Sequence, residues 1–327
     1  MIISRTPLRI SFVGGGTDFP RYYQAGYGAV VSTTINKYIY ATVNKKFDDQ
    51  IRLGYSKSEM VDDVEKIEHH LIREALKLTG VTRGVDISYM SDMLPAREGT
   101  GLGASSSLTV GILKALHAFL GQAVSAEQIA REACNIELEI LKHPIGKQDQ
   151  YATAFGNFNY IKFHADERVT VEPIPCQKET LEQLDNNLLL FYTGLSSQSA
   201  EVLPEQENNI ETNRHVLDKM LTLAEELKKS LMSNRLDDFG DILHQNWLYK
   251  QKLASKITNL TINTMYEAAR AAGAIGGKVL GSGGGGFLLV YCEEAKQPRV
   301  RAALNGLRET TFKFEPQEST IVYNEKL

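Results

Sequence analysis

The sequence predicts an α+β protein of two domains, and three observations predict it. The chain has 327 residues, about two units at roughly 150 residues each. Its first half mixes strand-like and helix-like periodicities. From Leu181 the texture changes to long helical patterns, followed by a tail in which strands and helices alternate. A boundary within 165–187 is expected, giving an N-terminal unit 1–175 and a C-terminal unit 176–327.

Each element has its own warrant. The opening MIISRTPLRISFVGGG has apolar stretches broken by Arg5 and Arg9, too short for a signal-peptide core or a membrane span, so it is expected within the fold. Val30–Val43 is β-branched and aromatic at near-alternating spacing, and Val85–Tyr89 and Phe158–Phe163 read the same way, as strands. Lys57–Leu78 and Ser107–Leu120 carry apolar residues at helical spacing, each followed by a glycine, Gly80 or Gly121, where a helix would be capped. LLLFYT at 188–193 reads as a strand, a polar stretch follows, and helical patterns then cover Asn209–Met232 and Leu236–Lys256. The tail reads as a helix near Asn263–Ala272, strands near Lys278 and at Phe287–Tyr291, a helix near Arg299–Arg308 and a strand near Ser319–Tyr323.

Composition excludes several classes of function. Hydrophobic residues make up 43% and charged residues 23%, the balance of a globular chain. Lys and Arg total 36 against 40 Asp and Glu, a net charge of −4, so no overall positive field recruits nucleic acid or an anionic membrane. An anionic ligand must therefore be met locally. Cys134, Cys176 and Cys292 are odd in number and far apart, which fits neither a disulfide framework nor paired zinc ligands and implies a reducing, cytoplasmic setting.

Three glycine clusters carry the chemistry. Pro7–Asp18 (PLRISFVGGGTD) runs from a strand into three glycines, either a tight turn or a place where backbone closely approaches a ligand. Gly99–Ser107 (GTGLGASSS) opens into a helix, so free N–H groups and hydroxyls lie at the positive end of the helix dipole, where phosphate binds. A serine N-cap is the other reading, and it accounts for one serine only. Gly99, Gly101 and Ala104 also fit G-x-G-x-x-A, but no acidic residue ends a second strand some twenty residues on, which disfavours a dehydrogenase. Gly276–Gly286 precedes a strand instead of a helix and is no dinucleotide motif. It reads as a hairpin or as room for a ligand. A P-loop is excluded, because Lys278 is followed by Val279 and Lys147 by Gln148.

Between the second and third clusters, Glu139 and Asp149 flank a Pro/Gly loop and can converge to serve a metal and a base. Alternatively they end one helix and cap the next. The neighbouring His69 and His70 point in different directions from a helix and lack a metal partner at helical spacing, which leaves them as solvated or packing residues. Arg21, Lys37 and Lys147 are candidate contacts to a substrate phosphate, or else solvated charges.

Together, PLRISFVGGGTD, GLGASSS, GKQDQ and KVLGSGGGG, in this order over nearly the whole chain, resemble the galactokinase, homoserine kinase, mevalonate kinase and phosphomevalonate kinase (GHMP) superfamily. The GGGTD variety is similar to the sugar branch, heptose 7-phosphate kinases foremost and fucokinases next, and LLLFYTGLS at 188–196 strengthens that likeness. The resemblance implies a ribosomal protein S5 domain 2-like N-terminal domain, a ferredoxin-like C-terminal domain and an active site between them. It implies ATP and Mg²⁺, with Gly101, Leu102, Gly103, Ala104, Ser105, Ser106 and Ser107 around the ATP phosphates. It assigns the metal to Ser105 and Glu139, with Glu137 as second candidate. Asp149 would take the acceptor's proton beside Arg9, and Gly15, Gly16, Thr17, Asp18, Gly283 and Gly284 would bind a small sugar or sugar phosphate. The implied reaction phosphorylates the C1 hydroxyl of D-glycero-D-manno-heptose 7-phosphate. The rivals are an L-fucose 1-kinase, the superfamily's decarboxylase branch, and a catalytically silent sugar sensor, against which Asp149 and Arg9 argue. Ser197 and Gln198 stand near where related heptose kinases carry Arg.

Overall fold

The computed structural model describes residues 1–93 and 99–325. Strand β1 (Ile2–Val13) is buried on both faces from Thr6 onward and feeds the short helix α1 (Pro20–Tyr23) and the long strand β2 (Tyr27–Lys45). The hairpin β3 (Ile51–Gly54) and β4 (Ser58–Val61) precedes α2 (His70–Thr79) and β5 (Val85–Ser91). The helix expected from Lys57 therefore begins only at His70. Residues 58–61 are claimed by a ladder with β3, and Asp63 caps a 3₁₀ turn by accepting the Glu65 N–H. Helix α2 buries Leu71, Ile72, Ala75 and Leu76 and ends at Gly80, as its spacing predicts.

Helix α3 (Ala104–Phe119) is apolar almost all round and packs against β1 and β2. Next come α4 (Ala126–Cys134), capped by Ser125, a π-helical turn at Asn135–Ile140, and α5 (Gln148–Phe155). The strands β6 (Phe158–His164) and β7 (Val169–Pro173) follow. The expected 175/176 division falls between β7 and α6 (Lys178–Asn186). After β8 (Leu188–Tyr192), the stretch read as merely polar is helix α7 (Ser199–Asn208), despite Pro204 within it. Then come α8 (Arg214–Met232), α9 (Phe239–Lys250), α10 (Leu260–Ala271), β9 (Gly276–Val279) and β10 (Phe287–Tyr291). The chain finishes with α11 (Gln297–Ala303), β11 (Arg308–Glu309) and β12 (Thr320–Asn324).

These strands form two sheets, an α+β arrangement as the sequence predicts. The larger has eight strands in the order β12-β1-β2-β5-β3-β4, with β6 pairing β2 and β7 pairing β6. Length lets β2 serve several neighbours at once, β6 along its first half and β5 along its second. The smaller sheet is β11-β8-β10-β9, antiparallel throughout. One apolar core gathers around β1, β2 and α3, and a second around β8, β10 and Trp247 of α9. Where α3, α5, α7 and α9 converge on the first glycine turn, a cavity opens.

Candidate active site

The cavity has a volume of about 810 Å³. One wall comes from residues 9–18, 99–108 and 137–149, and the opposite wall from residues 197–206, Lys250, Lys278, Gly281 and Ser282.

A bidentate pair in it joins two residues that lie 140 positions apart. Arg9, on β1, donates from Nε to Asp149 Oδ1 and from Nη2 to Oδ2, each at 2.7 Å. This fork fixes the carboxylate plane, and each of its oxygens keeps a second lone pair for a proton. A third arm of the guanidinium, Nη1, reaches Gly101 O at 2.6 Å and couples the pair to the glycine loop. Asp149 lies in the first turn of α5 and caps nothing; Lys147 holds the N-cap position.

That glycine loop ends in an uncapped helix. Gly103 is the N-cap residue of α3 and no side chain caps it, so the serine-cap reading fails and the first N–H groups remain for an anion. Gly101, Gly103, Ala104, Ser105 and Ser106 line the cavity. Leu102 is wholly buried, and Ser107 donates to Pro7 O and Gly103 O, so these two support the loop from behind. Gly101 carries a φ of +76°, and a Cβ there would stand 2.4 Å from Leu280 O. Only glycine lets the two loops touch.

Glu139 must be corrected. Its side chain is 67% exposed and pairs with Lys142, outside the cavity. Glu137, 1% exposed, points inward. Two steps along one helical turn reverse direction, and only one of the two glutamates can face α3. Glu137 Oε2 accepts from Ser106 Oγ at 2.9 Å and Gln150 Nε2 at 3.1 Å, while Oε1 is buried with no hydrogen-bond partner. Burial pushes its pKa up to about 7, with Asp149 adding to the rise and the donors Ser106 and Gln150 opposing it. A hard cation fits such a carboxylate. Among the described residues no group of three or more His, Cys, Asp or Glu is placed to hold a metal ion, so Mg²⁺ would complete its shell with hydroxyl, water and phosphate oxygens. Ser105, exposed at the cavity mouth, and Glu137 would hold it.

In the first glycine turn Gly15, Gly16 and Asp18 line the cavity, whereas Thr17 braces the turn through bonds to Gly14 O at 2.8 Å and Ala29 O at 2.9 Å. Asp18 Oδ1 accepts the Gly16 N–H at 2.8 Å and Oδ2 the Gln148 N–H at 3.3 Å, which ties the turn to the start of α5. Burial raises its pKa, the two N–H groups lower it, and the Asp149 charge adds to the rise. Beside it the Ser11 hydroxyl and Gln148 Oε1 are buried without hydrogen-bond partners, two polar atoms available to a hydroxylated ligand.

The third cluster contributes differently from expectation. Gly283 and Gly284 pack on residues 256–257 and do not line the cavity; Gly281 and Ser282 do. The expected phosphate contacts also lie elsewhere. Arg21 is exposed, Lys147 pairs with Glu167, and neither these nor Lys37 lines the cavity. Among the described residues, the lysine and arginine side chains that line the cavity besides Arg9 are Lys250 and Lys278. Lys250 left no signal, since a lysine within the helical pattern read over Leu236–Lys256 passes as a solvated surface charge. His69, set aside as packing, stands edge-on to Tyr55 and Tyr89 with ring centroids 5.1 and 5.7 Å apart, on the cavity wall near α2.

No described helix is long and apolar enough to cross a membrane. The three cysteines are free, Cys134 and Cys292 buried and Cys176 half-buried.

The family description "GHMP kinases N terminal domain" matches residues 52–157, and "GHMP kinases C terminal" matches 223–307. A D-glycero-alpha-D-manno-heptose 7-phosphate kinase of Campylobacter jejuni is 28% identical over 320 residues, covering 93% of each chain. An L-fucokinase/L-fucose-1-P guanylyltransferase of Bacteroides fragilis is 23% identical over 93% of this chain but only 36% of its own length. The crystal structure of a D-glycero-D-manno-heptose 1-phosphate kinase from Bacteroides thetaiotaomicron superposes with a TM-score of 0.82 at 26% identity, covering 100% of both chains.

Proposed function

The chain belongs to the GHMP kinases and is a sugar kinase, a phosphotransferase with an alcohol group as acceptor, and from that premise we propose that it transfers the γ-phosphoryl of ATP to the anomeric C1 hydroxyl of D-glycero-D-manno-heptose 7-phosphate. The observation that carries the transfer chemistry is the bidentate Arg9–Asp149 pair, bonded to the Gly101 carbonyl of an uncapped helix N-terminus.

In this reading the ATP phosphates lie on the loop at 101–106 and the sugar lies against Gly15, Gly16 and Asp18. Asp149 accepts the proton of the attacking hydroxyl, and Arg9 holds the carboxylate in place, a contribution of about 10²–10⁴-fold. Mg²⁺, held by Ser105 and Glu137, would supply charge neutralisation at the phosphates. The rest is positioning by glycine backbone that brings donor and acceptor together in a cavity walled on one side by α7. The free thiols accord with a reducing, cytoplasmic setting.

The heptose assignment draws its support from the two heptose kinase relatives. A second reading, an L-fucose 1-kinase, draws on the fucokinase relative and on the absence of Arg21, Lys37 and Lys147 from the cavity wall, since an acceptor without a phosphate needs no such contact. Phosphorus NMR of the product tests the site of transfer. The proposal expects a new phosphorus coupled to the anomeric proton, and a phosphate on any other carbon overturns it.

A further inference from the structure

Two lysines enter the cavity from the α7/α9 side, and they are bonded differently. Lys278 on β9 donates to Ser11 O at 2.7 Å and Phe12 O at 3.0 Å, so its charge is spent tying the smaller sheet to β1. Lys250, the last residue of α9, is 6% exposed, and among the described residues its Nζ meets a single acceptor, the carbonyl of Gly281. An ammonium carries three protons, and a buried one with donors left over is costly until an anion arrives.

The location of that unfinished site is informative. Gly281 packs on Gly101, where a Cβ on Gly281 would lie 2.4 Å from Gly101 Cα, and Gly101 O receives Arg9 Nη1. Lys250 and Arg9 therefore flank the crossing of the two glycine loops, Lys250 bonded to one loop and Arg9 to the other, with Asp149 on the Arg9 side. That crossing is where donor phosphate and acceptor hydroxyl must meet if the proposed function holds, and the inference rests on that reading.

We propose that Lys250 is a further catalytic residue, the ammonium that binds the phosphoryl group as it passes from ATP to the acceptor. In the step, the acceptor oxygen bonds to the γ-phosphorus as the bond from phosphorus to the bridging oxygen of ADP breaks. The hydroxyl proton goes to Asp149. Lys250 keeps its own proton and contributes charge. The groups facing it are Arg9 from β1, Asp18 from the first turn, Asp149 from α5 and Lys278 from β9. Burial and Arg9 push its pKa down to about 7, against Asp18 and Asp149. An arriving triphosphate reverses that depression, so nucleotide binding near neutral pH takes up a proton.

The experiment pairs kinetics with calorimetry. Lys250→Met is expected to lower kcat by about tenfold to a few hundredfold, the equivalent of one charge-assisted contact. Lys250→Arg retains the charge and should lie between that variant and wild type. Titration of wild-type protein with a non-hydrolysable ATP analogue, in buffers of differing ionisation enthalpy near neutral pH, should show proton uptake that Lys250→Met lacks. Unchanged kcat in Lys250→Met, or the same proton uptake in that variant, overturns the assignment. If the methionine variant does not fold, Lys250→Gln takes its place, and proton uptake in that variant equal to the wild type overturns the assignment equally. A wild type that phosphorylates no sugar would count against the proposed function, an outcome distinct from a Lys250→Met variant as active as an active wild type.

Discussion

The cavity's two walls are built on different principles. The wall of residues 9–18, 99–108 and 137–149 places its charges in fixed pairs and backbone cradles: Arg9 with Asp149, Glu137 with Ser106, Asp18 with two N–H groups. The wall of α7, α9 and the loop at 280–282 offers shape and two buried lysines whose partners are carbonyls. Pinned on its outer side by the Glu201–Lys256 pair and the Glu205–Ser255 bond, α7 turns Leu203 and Gln206 inward. Chemistry set by paired charges belongs to the first wall and closure around the ligand to the second, so changes in the first should reduce turnover and changes at their contact should reduce binding.

The largest effect is expected at the base. Asp149→Asn keeps the shape and most hydrogen bonding but removes the proton acceptor, so kcat should fall by about 10²–10⁴-fold with nucleotide affinity retained, measured by steady-state kinetics and equilibrium binding. Near-normal turnover would remove the first wall's claim to the chemistry. Next comes the contact between walls. Gly101→Ala puts a methyl against Leu280 O in a left-handed conformation, a strain of about 1–3 kcal/mol that should weaken ATP binding by roughly tenfold to a hundredfold. Unchanged affinity would mean that the loops need not touch.

A smaller and more discriminating pair separates the glutamates. Glu137→Gln should raise the Mg²⁺ concentration for half-maximal activity by about 10–100-fold, while Glu139→Gln, on the surface beside Lys142, leaves it unchanged. The reverse pattern would restore Glu139. Smallest of all, Arg21→Ala and Lys37→Ala should leave kcat/KM for any sugar phosphate unaltered, because neither side chain lines the cavity. A tenfold loss in either would put a substrate phosphate where the apo cavity gives no sign of it.

The difference between the walls also explains what could be read from the sequence. The glycine clusters and the helix read from Ser107 are local features, so the phosphate loop and Asp149 were legible as candidates, while Arg9 and Asp18 were assigned only through the family resemblance. Choosing between Glu137 and Glu139 was not, because the π turn at Asn135–Ile140 and the docking of α3 set which glutamate faces inward. Lys250 belongs to the same class: its helix period was visible, but its burial depends on where α9 meets β9 and the loop at 280–286. Helix α7 was missed because Pro204 and its charged residues read as loop, although its ion pair with Lys256 and its hydrogen bond from Ser255 hold it as a wall. Tertiary placement decided each of these, and single-sequence periodicity carries none of it.

The central claim is that this cavity moves phosphoryl from ATP to a sugar, with heptose 7-phosphate as its acceptor. The direct measurement is kcat/KM, by ADP release at fixed ATP and Mg²⁺, for D-glycero-D-manno-heptose 7-phosphate, the free heptose and L-fucose. The account predicts sugar-dependent ADP release that is greatest with the heptose 7-phosphate. Equal or better use of L-fucose would contradict the acceptor, and ADP release that no sugar stimulates would contradict the claim itself.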